Sequence, residues 1–483
     1  MRINSFKKIP QGVKASIAFF IASVITSGIA YITTPIYTRL LTTDEYGQVS
    51  IFLAWLQIFG IIAMFCLHFG VFNNGMLDYP DRRDDYSFSM LVLSNIITLS
   101  FSGILLCLYP VIRSFLKLDI AFVILMCVIF LFQPAYNFWC TRQRYELKYK
   151  AILFWSILSA ILSPTVAILL ILANKNGSNL YQRIFGAESV LILMYLGFYF
   201  YLGFKNKWKL NTKYWKQALL FNLPLIPHYL STYVLNSSDK IMISNLVNDT
   251  AAAYYSIAHS IAAIASIIWV AINSSLLPFT YEKCKEGKYG DINKVTLPLV
   301  TLFAAGCVGV IMLAPEAVKI MATSNYKEAI YVIPPIVGGV FFQVQYYLYA
   351  NILFYHKKPT YIMIGSISAV CLNLLLNYFC IKKWGYVAAG YTTIVCYGIQ
   401  AVIDYFAMKK VVGKSIYNMK YIAMLSLLVV IIALTSNLVY DYARIRFTLL
   451  GELIITAIIF RKNIIKALRF KKTDNKTNEN SNI

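Results

Sequence analysis

Residues 87–110 read SFSMLVLSNIITLSFSGILLCLYP, a run without a single charged residue. Arg82 and Arg83 stand just before it. The next basic cluster, Arg142, Arg144, Lys148 and Lys150, comes only after a second apolar run at 118–139. Roughly 20 mostly apolar residues, each rising 1.5 Å as a helix, cross the hydrocarbon of a bilayer. The stretch therefore reads as a membrane-spanning helix with a cytoplasmic basic flank. Outward from it the same pattern predicts fourteen spans: 14–38, 47–72, 87–110, 118–139, 151–173, 184–204, 217–238, 251–278, 295–315, 329–354, 360–380, 386–408, 420–438 and 445–461.

Charge placement gives the orientation. Clusters fall in every second gap: Arg2 to Lys14, Arg82 and Arg83, Arg142 to Lys150, Lys205 to Lys216, Lys283 to Lys294, Lys357 and Lys358, Lys409 to Lys420, and Arg461 to Lys476. They hold 32 of the 44 Lys and Arg residues. An excess of cations in short loops marks the cytoplasmic face, so an even number of spans places both termini there. With 59% hydrophobic and 13% charged residues, against about 25% charged in soluble domains, the class is an all-α polytopic membrane protein. The basic balance is a membrane signature, and nucleic acid is excluded as a partner. Lys7 and Lys8 before an apolar run resemble a signal peptide, but the run continues to Tyr37, so the first helix is expected to be an uncleaved span. The nine cysteines show no metal or redox spacing. No metal and no organic cofactor is expected. The polar tail after Phe470 is expected to be disordered.

Fourteen spans divide as six, six and two. Leu40-Leu41-Thr-Thr-Asp-Glu-Tyr46-Gly-Gln-Val-Ser50-Ile51 follows span one, and Leu246-Val247-Asn-Asp-Thr-Ala-Ala-Ala-Tyr254-Tyr-Ser256-Ile257 follows span seven. Both read as an apolar pair, a polar turn, an aromatic and Ser-Ile opening the next helix. The predicted organisation is a six-helix half at 1–210, a second at 211–412, a two-helix pair at 413–470 and the tail at 471–483. Two such halves in parallel orientation are expected to place a substrate cavity between them near the midplane.

Span seven reads Asn222-Leu-Pro224-Leu-Ile-Pro227-His228 and ends Ser-Ser-Asp239-Lys240-Ile-Met-Ile-Ser, before Tyr-Ser-Ile-Ala. With Arg39-Leu-Leu-x(4)-Tyr46-Gly47, Asn325-Tyr326-Lys327-Glu328-Ala329 and Trp384-Gly385-Tyr386-x(3)-Gly390, the chain resembles the polysaccharide-biosynthesis flippases of the multidrug/oligosaccharidyl-lipid/polysaccharide exporter superfamily. Within it the chain is most similar to the Wzx-type flippases of O-antigen or capsule repeat units. The resemblance implies an oligosaccharide on undecaprenyl diphosphate as substrate and a bacterial cytoplasmic (inner) membrane location. It also implies a monomer beside the polymerase and chain-length regulator of its pathway, and coupling to H⁺ or Na⁺. Physics makes a matching demand: a sugar diphosphate needs cations and hydrogen-bonding groups where it crosses hydrocarbon.

The residues offered for substrate binding are Arg39, Lys240, His228, Asn222, Gln343, Tyr347 and Asn351. Arg39 is a bidentate phosphate partner or an arginine snorkelling to headgroups. Lys240 is its counterpart in the second half or a charge compensated by Asp239. His228, Thr232, Asn236 and Asp239 share one helical face, which lines a cavity or bonds a neighbouring helix. Gln343, Tyr347, Asn351 and Tyr355 form a stripe at spacing four, either a sugar-binding face or interhelical bonding. Glu188, Asp239 and Asp404 are the ion-coupling residues, because charge inside a span is costly. For Asp404 an ion pair with Lys409, about one turn on, is the simpler account. Glu452 has no assigned role. Pro35, Pro224, Pro227, Pro334 and Pro335 are the expected helix breaks and hinges. Three rivals stand: a lipid II flippase, a drug or cation antiporter of the same superfamily, and a membrane O-antigen polymerase or ligase. The last would need a large outer loop, and none here exceeds about fifteen residues. No Walker A, His-Glu-x-x-His or nucleophile-elbow motif is present, so a transporter rather than an enzyme is expected.

Overall fold

A computed structural model describes residues 11–175 and 177–459. Their regular structure is helical throughout, in seventeen α-helices. These are α1 (Gln11–Leu40), α2 (Thr43–Ala63), α3 (Gly70–Asp78), α4 (Arg83–Leu116), α5 (Ile120–Tyr145), α6 (Tyr149–Ala173), α7 (Leu180–Lys205), α8 (Lys213–Asn222) and α9 (Ile226–Leu246). Then follow α10 (Asp249–Lys285), α11 (Tyr289–Met312), α12 (Ala314–Met321), α13 (Ile333–Tyr355), α14 (Pro359–Trp384), α15 (Val387–Val412), α16 (Met419–Thr435) and α17 (Ala443–Ile459). A helix lies under each of the fourteen predicted segments. Eleven described stretches are long and apolar enough to cross a membrane, or twelve when the bent pair 324–331 and 333–355 counts as one span. The predicted tail at 471–483 lies outside the described residues.

Burial confirms which solvent these helices face. On α6 only Ile152, Ala167 and Ile171 are buried, while Phe154, Leu169 and Leu172 are 59%, 59% and 63% exposed. In water such a surface would be an aggregation site. Lipid tails are as apolar as leucine, so in a bilayer it costs nothing.

Contacts group the chain into two units: 1–253 with 321–323, and 254–320 with 324–483. In the first unit α7 packs on α5 and α6, α1 on α6, and α9 on α2. Its cores form around Phe52, Trp55, Phe122 and Phe130, and around Phe72, Tyr86, Phe138 and Trp139. In the second unit α13 is the central helix, buried along most of its length against α15 and α16, and α14 packs on α15. Span seven (α8 and α9) therefore packs within the first unit. The packing boundary at 253/254 and the expected repeat boundary at 210/211 are different properties of the chain.

Two predicted spans differ in detail. The run 47–72 is not one helix. It stops at Ala63, and Phe65 and Cys66 take left-handed backbone angles (φ 54° and 51°) before α3 begins. Side chains larger than glycine adopt that region at a cost. Here the Asn222 amide holds it by donating to the Phe65 carbonyl at 2.6 Å. Span ten starts at 333 rather than 329. Pro334 occupies the first turn of α13, and 324–331 is a 3₁₀ segment bent 48° from it. Pro334 and Pro335 thus sit at a break, as do Pro224 in the 3₁₀ turn 223–225 and Pro227 opening α9. Pro35 lies inside α1, which runs on to Leu40.

Candidate functional site

The motif after span one turns out to be a corner. Thr42 caps α2 and Glu45 completes the capping box, which satisfies two amide groups that a helix start leaves open. The other Glu45 oxygen accepts from Ser178 Oγ at 2.6 Å and from the Asn179 amide at 2.7 Å, and Asn179 Nδ2 donates to the Leu40 carbonyl. The α1–α2 turn is thereby tied to the α6–α7 loop. Gly47 is there because a Cβ would lie 2.0 Å from the Asp249 carbonyl oxygen. Arg39, at the end of α1, is exposed, and its guanidinium donates to the Pro35 carbonyl at 2.6 Å.

On α9, Asp239 is buried and Lys240 half-buried, the two within electrostatic reach. His228 is half-buried, and its Nδ1 is enclosed without a hydrogen-bond partner among the described residues. Thr232 and Asn236 bond back to carbonyls one turn earlier. Ser237 donates to Gln57 Oε1 on α2. Asn222 is fully buried at the Phe65 break, with its Oδ1 unpartnered among the described residues. Glu188 on α7 is 7% exposed, with Arg183 in its electrostatic surroundings.

In the second unit the stripe on α13 bonds protein. Gln343 Nε2 reaches the Tyr397 hydroxyl at 3.4 Å, and Asn351 Nδ2 donates to Asn273 Oδ1 at 2.8 Å. The Tyr347 ring lies 5.1 Å from that of Tyr346. The two amide contacts are the interhelical bonds that polar groups make where no water is available, whereas Tyr347 packs against its own neighbour on the helix. Asp404 corrects the sequence reading: it forms no ion pair with Lys409. The carboxyl faces inward at 0% exposure while Lys409 points outward, because one turn plus one residue rotates the lysine off that face.

Several features have no counterpart in the sequence reading. Lys117 donates to the Ser244 carbonyl at 2.6 Å and pairs with Asp249 at 3.5 Å. Arg183 lies over the Tyr37 ring at 4.1 Å. Asn373, Asn377 and Thr392 form a buried hydrogen-bonded set on α14 and α15. The Asn325 and Trp384 motifs meet: Tyr386 donates to the Glu328 carbonyl, and its ring and that of Tyr326 flank Tyr254. A cavity of about 180 Å³ between α3, α4 and α8 is lined by Asn74, Asp78, Tyr79, Tyr86, Tyr214 and Gln217. Residues far apart in sequence make each of these, so no local pattern announces them.

The sequence model of the family described as polysaccharide biosynthesis protein matches residues 13–282, more than half of the chain. The chain belongs to that family. A curated relative, a protein of the Lsg locus of Haemophilus influenzae, is 25% identical over 177 residues, 35% of this chain. That match spans only 44% of the relative's length. Among solved structures, the lipid II flippase MurJ in an inward closed conformation superimposes with TM-score 0.67 at 16% identity. It covers 94% of this chain and 100% of its own. An inward-facing multidrug resistance transporter of the MATE family, MOP superfamily, gives 0.60 at 12% identity over 82% and 98%. The fold of this family member is that of these transporters.

Proposed function

We propose that this membrane protein is a flippase of the bacterial cytoplasmic membrane. It moves an undecaprenyl-diphosphate-linked oligosaccharide repeat unit from the inner to the outer leaflet by alternating access. The reading rests on one conjunction: a polysaccharide biosynthesis family match together with a lipid-flippase fold over 94% of the chain. Arg39 and Lys240 are the cations we assign to the diphosphate. Arg39 spends its guanidinium on one backbone carbonyl, and Lys240 forms no ion pair among the described residues, so both retain donors for an anion. Ion coupling belongs to the same proposal.

The test is complementation of a strain lacking its repeat-unit flippase, with polysaccharide measured at the cell surface. Two charge-assisted bonds at about 1.5 kcal/mol each make the Arg39→Ala/Lys240→Ala double variant roughly 100-fold weaker. Wild-type surface polysaccharide from that variant, at equal membrane abundance, would discard the two-cation site. The likeness to the lipid II flippase favours a second reading, in which the cargo carries the same lipid and diphosphate but a peptidoglycan precursor. Rescue of a lipid II flippase deletion in place of the polysaccharide strain would select it.

A further inference from the structure

The most anomalous side chain of the second unit is Asp404 on α15. It is 0% exposed, and both carboxyl oxygens are enclosed without a hydrogen-bond partner among the described residues. It lies directly over Gly365 of α14, where a Cβ would come within 2.7 Å of Oδ1. Glycine at 365 is what makes room for the carboxyl against the neighbouring helix. One turn earlier on α15, Gln400 is also buried, with its Oε1 unpartnered among the described residues. Its Nε2 donates to Ser366 Oγ at 3.3 Å, and Ser366 donates in turn to the Ile362 carbonyl at 2.9 Å. Of the helices packed against α15, α13 carries Tyr346 and Tyr349 within electrostatic reach of Asp404, the Tyr349 hydroxyl donating to Met419 Sδ. The other, α14, presents Gly365 to Asp404 and Ser366 to Gln400. The nearest lysines on its own helix, Lys409 and Lys410, are exposed, Lys410 lying over the Tyr361 ring.

Two orphaned acceptors at spacing i, i+4 share a simple chemical solution. A carboxylate buried without a partner costs far more than a neutral acid. A proton on Asp404 would remove the charge and also create an O–H donor for Gln400 Oε1, the pairing that Gln and Asp make at this helical spacing. We propose that Asp404 is a proton-binding site, with Gln400 and Ser366 as the relay that senses its charge. In the loaded state every donor points away from Asp404: acid to amide oxygen, amide nitrogen to Ser366, Ser366 to Ile362. When the proton leaves to water, a half-turn of the Gln400 amide turns its nitrogen towards the carboxylate and its oxygen towards Ser366. The hydroxyl then releases the Ile362 carbonyl. The site has two self-consistent hydrogen-bond patterns, one per charge state. That this drives cargo across the membrane rests on the flippase reading; the proton site itself does not.

Infrared spectra of the full chain in liposomes test it. Subtracting Asp404→Asn from wild type at neutral pH is expected to leave the carbonyl band of one neutral carboxylic acid, which disappears on alkalinisation. In Gln400→Leu the ionised form loses its donor, so the band should persist to a pH about one unit higher. A wild-type-minus-Asp404→Asn spectrum without that band, or a band insensitive to Gln400→Leu, overturns the site. For coupling, movement of a fluorescent lipid-linked oligosaccharide is followed under an imposed pH gradient. Acceleration by the gradient in wild type and not in Asp404→Asn supports it; equal acceleration in both overturns it. A wild type that moves no cargo while the band titrates sinks the flippase reading and leaves the proton site standing.

Discussion

Glu146, just beyond α5, and Asp404, within α15, are both acids withdrawn from solvent, and they are treated in opposite ways. Glu146 receives Arg142 Nε at 2.9 Å and Lys148 Nζ at 2.6 Å, with Arg83 at 3.8 Å, and Arg142 also binds Asp84. Burial pushes the Glu146 carboxyl up, but the bonds to Lys148 and Arg142 outweigh it and hold it below the ordinary glutamate range. Asp404 has neither oxygen satisfied among the described residues. Adding partners to a buried acid makes a fastening, whereas withholding them leaves an acid whose charge state changes its surroundings. On the proton-site proposal, one region is built to stay as it is and the other to change.

The difference can be broken at its strong end first. Arg142→Met removes the cation shared by Glu146 and Asp84 and leaves each with a lysine, Lys148 and Lys205. Two charge-assisted bonds at about 1.5 kcal/mol each make the expected cost about 3 kcal/mol. Thermal unfolding in detergent would show it, and an unchanged midpoint would mean that the network carries no weight. Next comes Asn222→Leu, which orphans the Phe65 carbonyl at the left-handed break. A cost of about 2 kcal/mol is expected, and accelerated proteolysis within 64–69 should report it.

The pH dependence has a definite sign. Because the folded Glu146 carboxyl is held below its unfolded value, its contribution is complete above the ordinary glutamate range. It fades as pH falls through the lower folded value. Glu146→Gln should therefore flatten the acid limb of the stability curve by about 1 kcal/mol, after allowance for its partly open surroundings. Asp404→Asn is expected to have the smallest effect on folding, under about 1 kcal/mol, because an amide resembles the neutral acid. If it unfolds the protein as severely as Arg142→Met, the two acids are not different in kind.

What the sequence could say and what it could not follow from physics. Apolar run length is a local property demanded by the bilayer, so every predicted segment found a helix. Breakers were legible at Pro224, Pro227, Pro334 and Pro335 because each lacks an amide donor. Pro35 shows that the same chemistry can be absorbed inside a helix. The break at Phe65 and Cys66 was invisible: neither residue favours a left-handed turn, and the group that stabilises it, Asn222, is far along the chain. Among site residues, the sequence placed Asp404 in a span but gave it the wrong partner. Spacing alone could not say that Lys409 rotates off the inward face. For Gln343 and Asn351 the periodicity predicted a shared stripe, and only the positions of Tyr397 and Asn273 reveal what they bond.

The corner made by Thr42, Glu45 and Asn179 has a consequence for anyone altering the chain. The connection between α6 and α7 would ordinarily be the safe place to splice in a tag or a reporter. Here two of its residues bond Glu45, and one of them also holds the carbonyl next to Arg39. Lengthening that loop would unpin the end of α1, and the guanidinium standing there would lose its fixed address while every helix stayed intact.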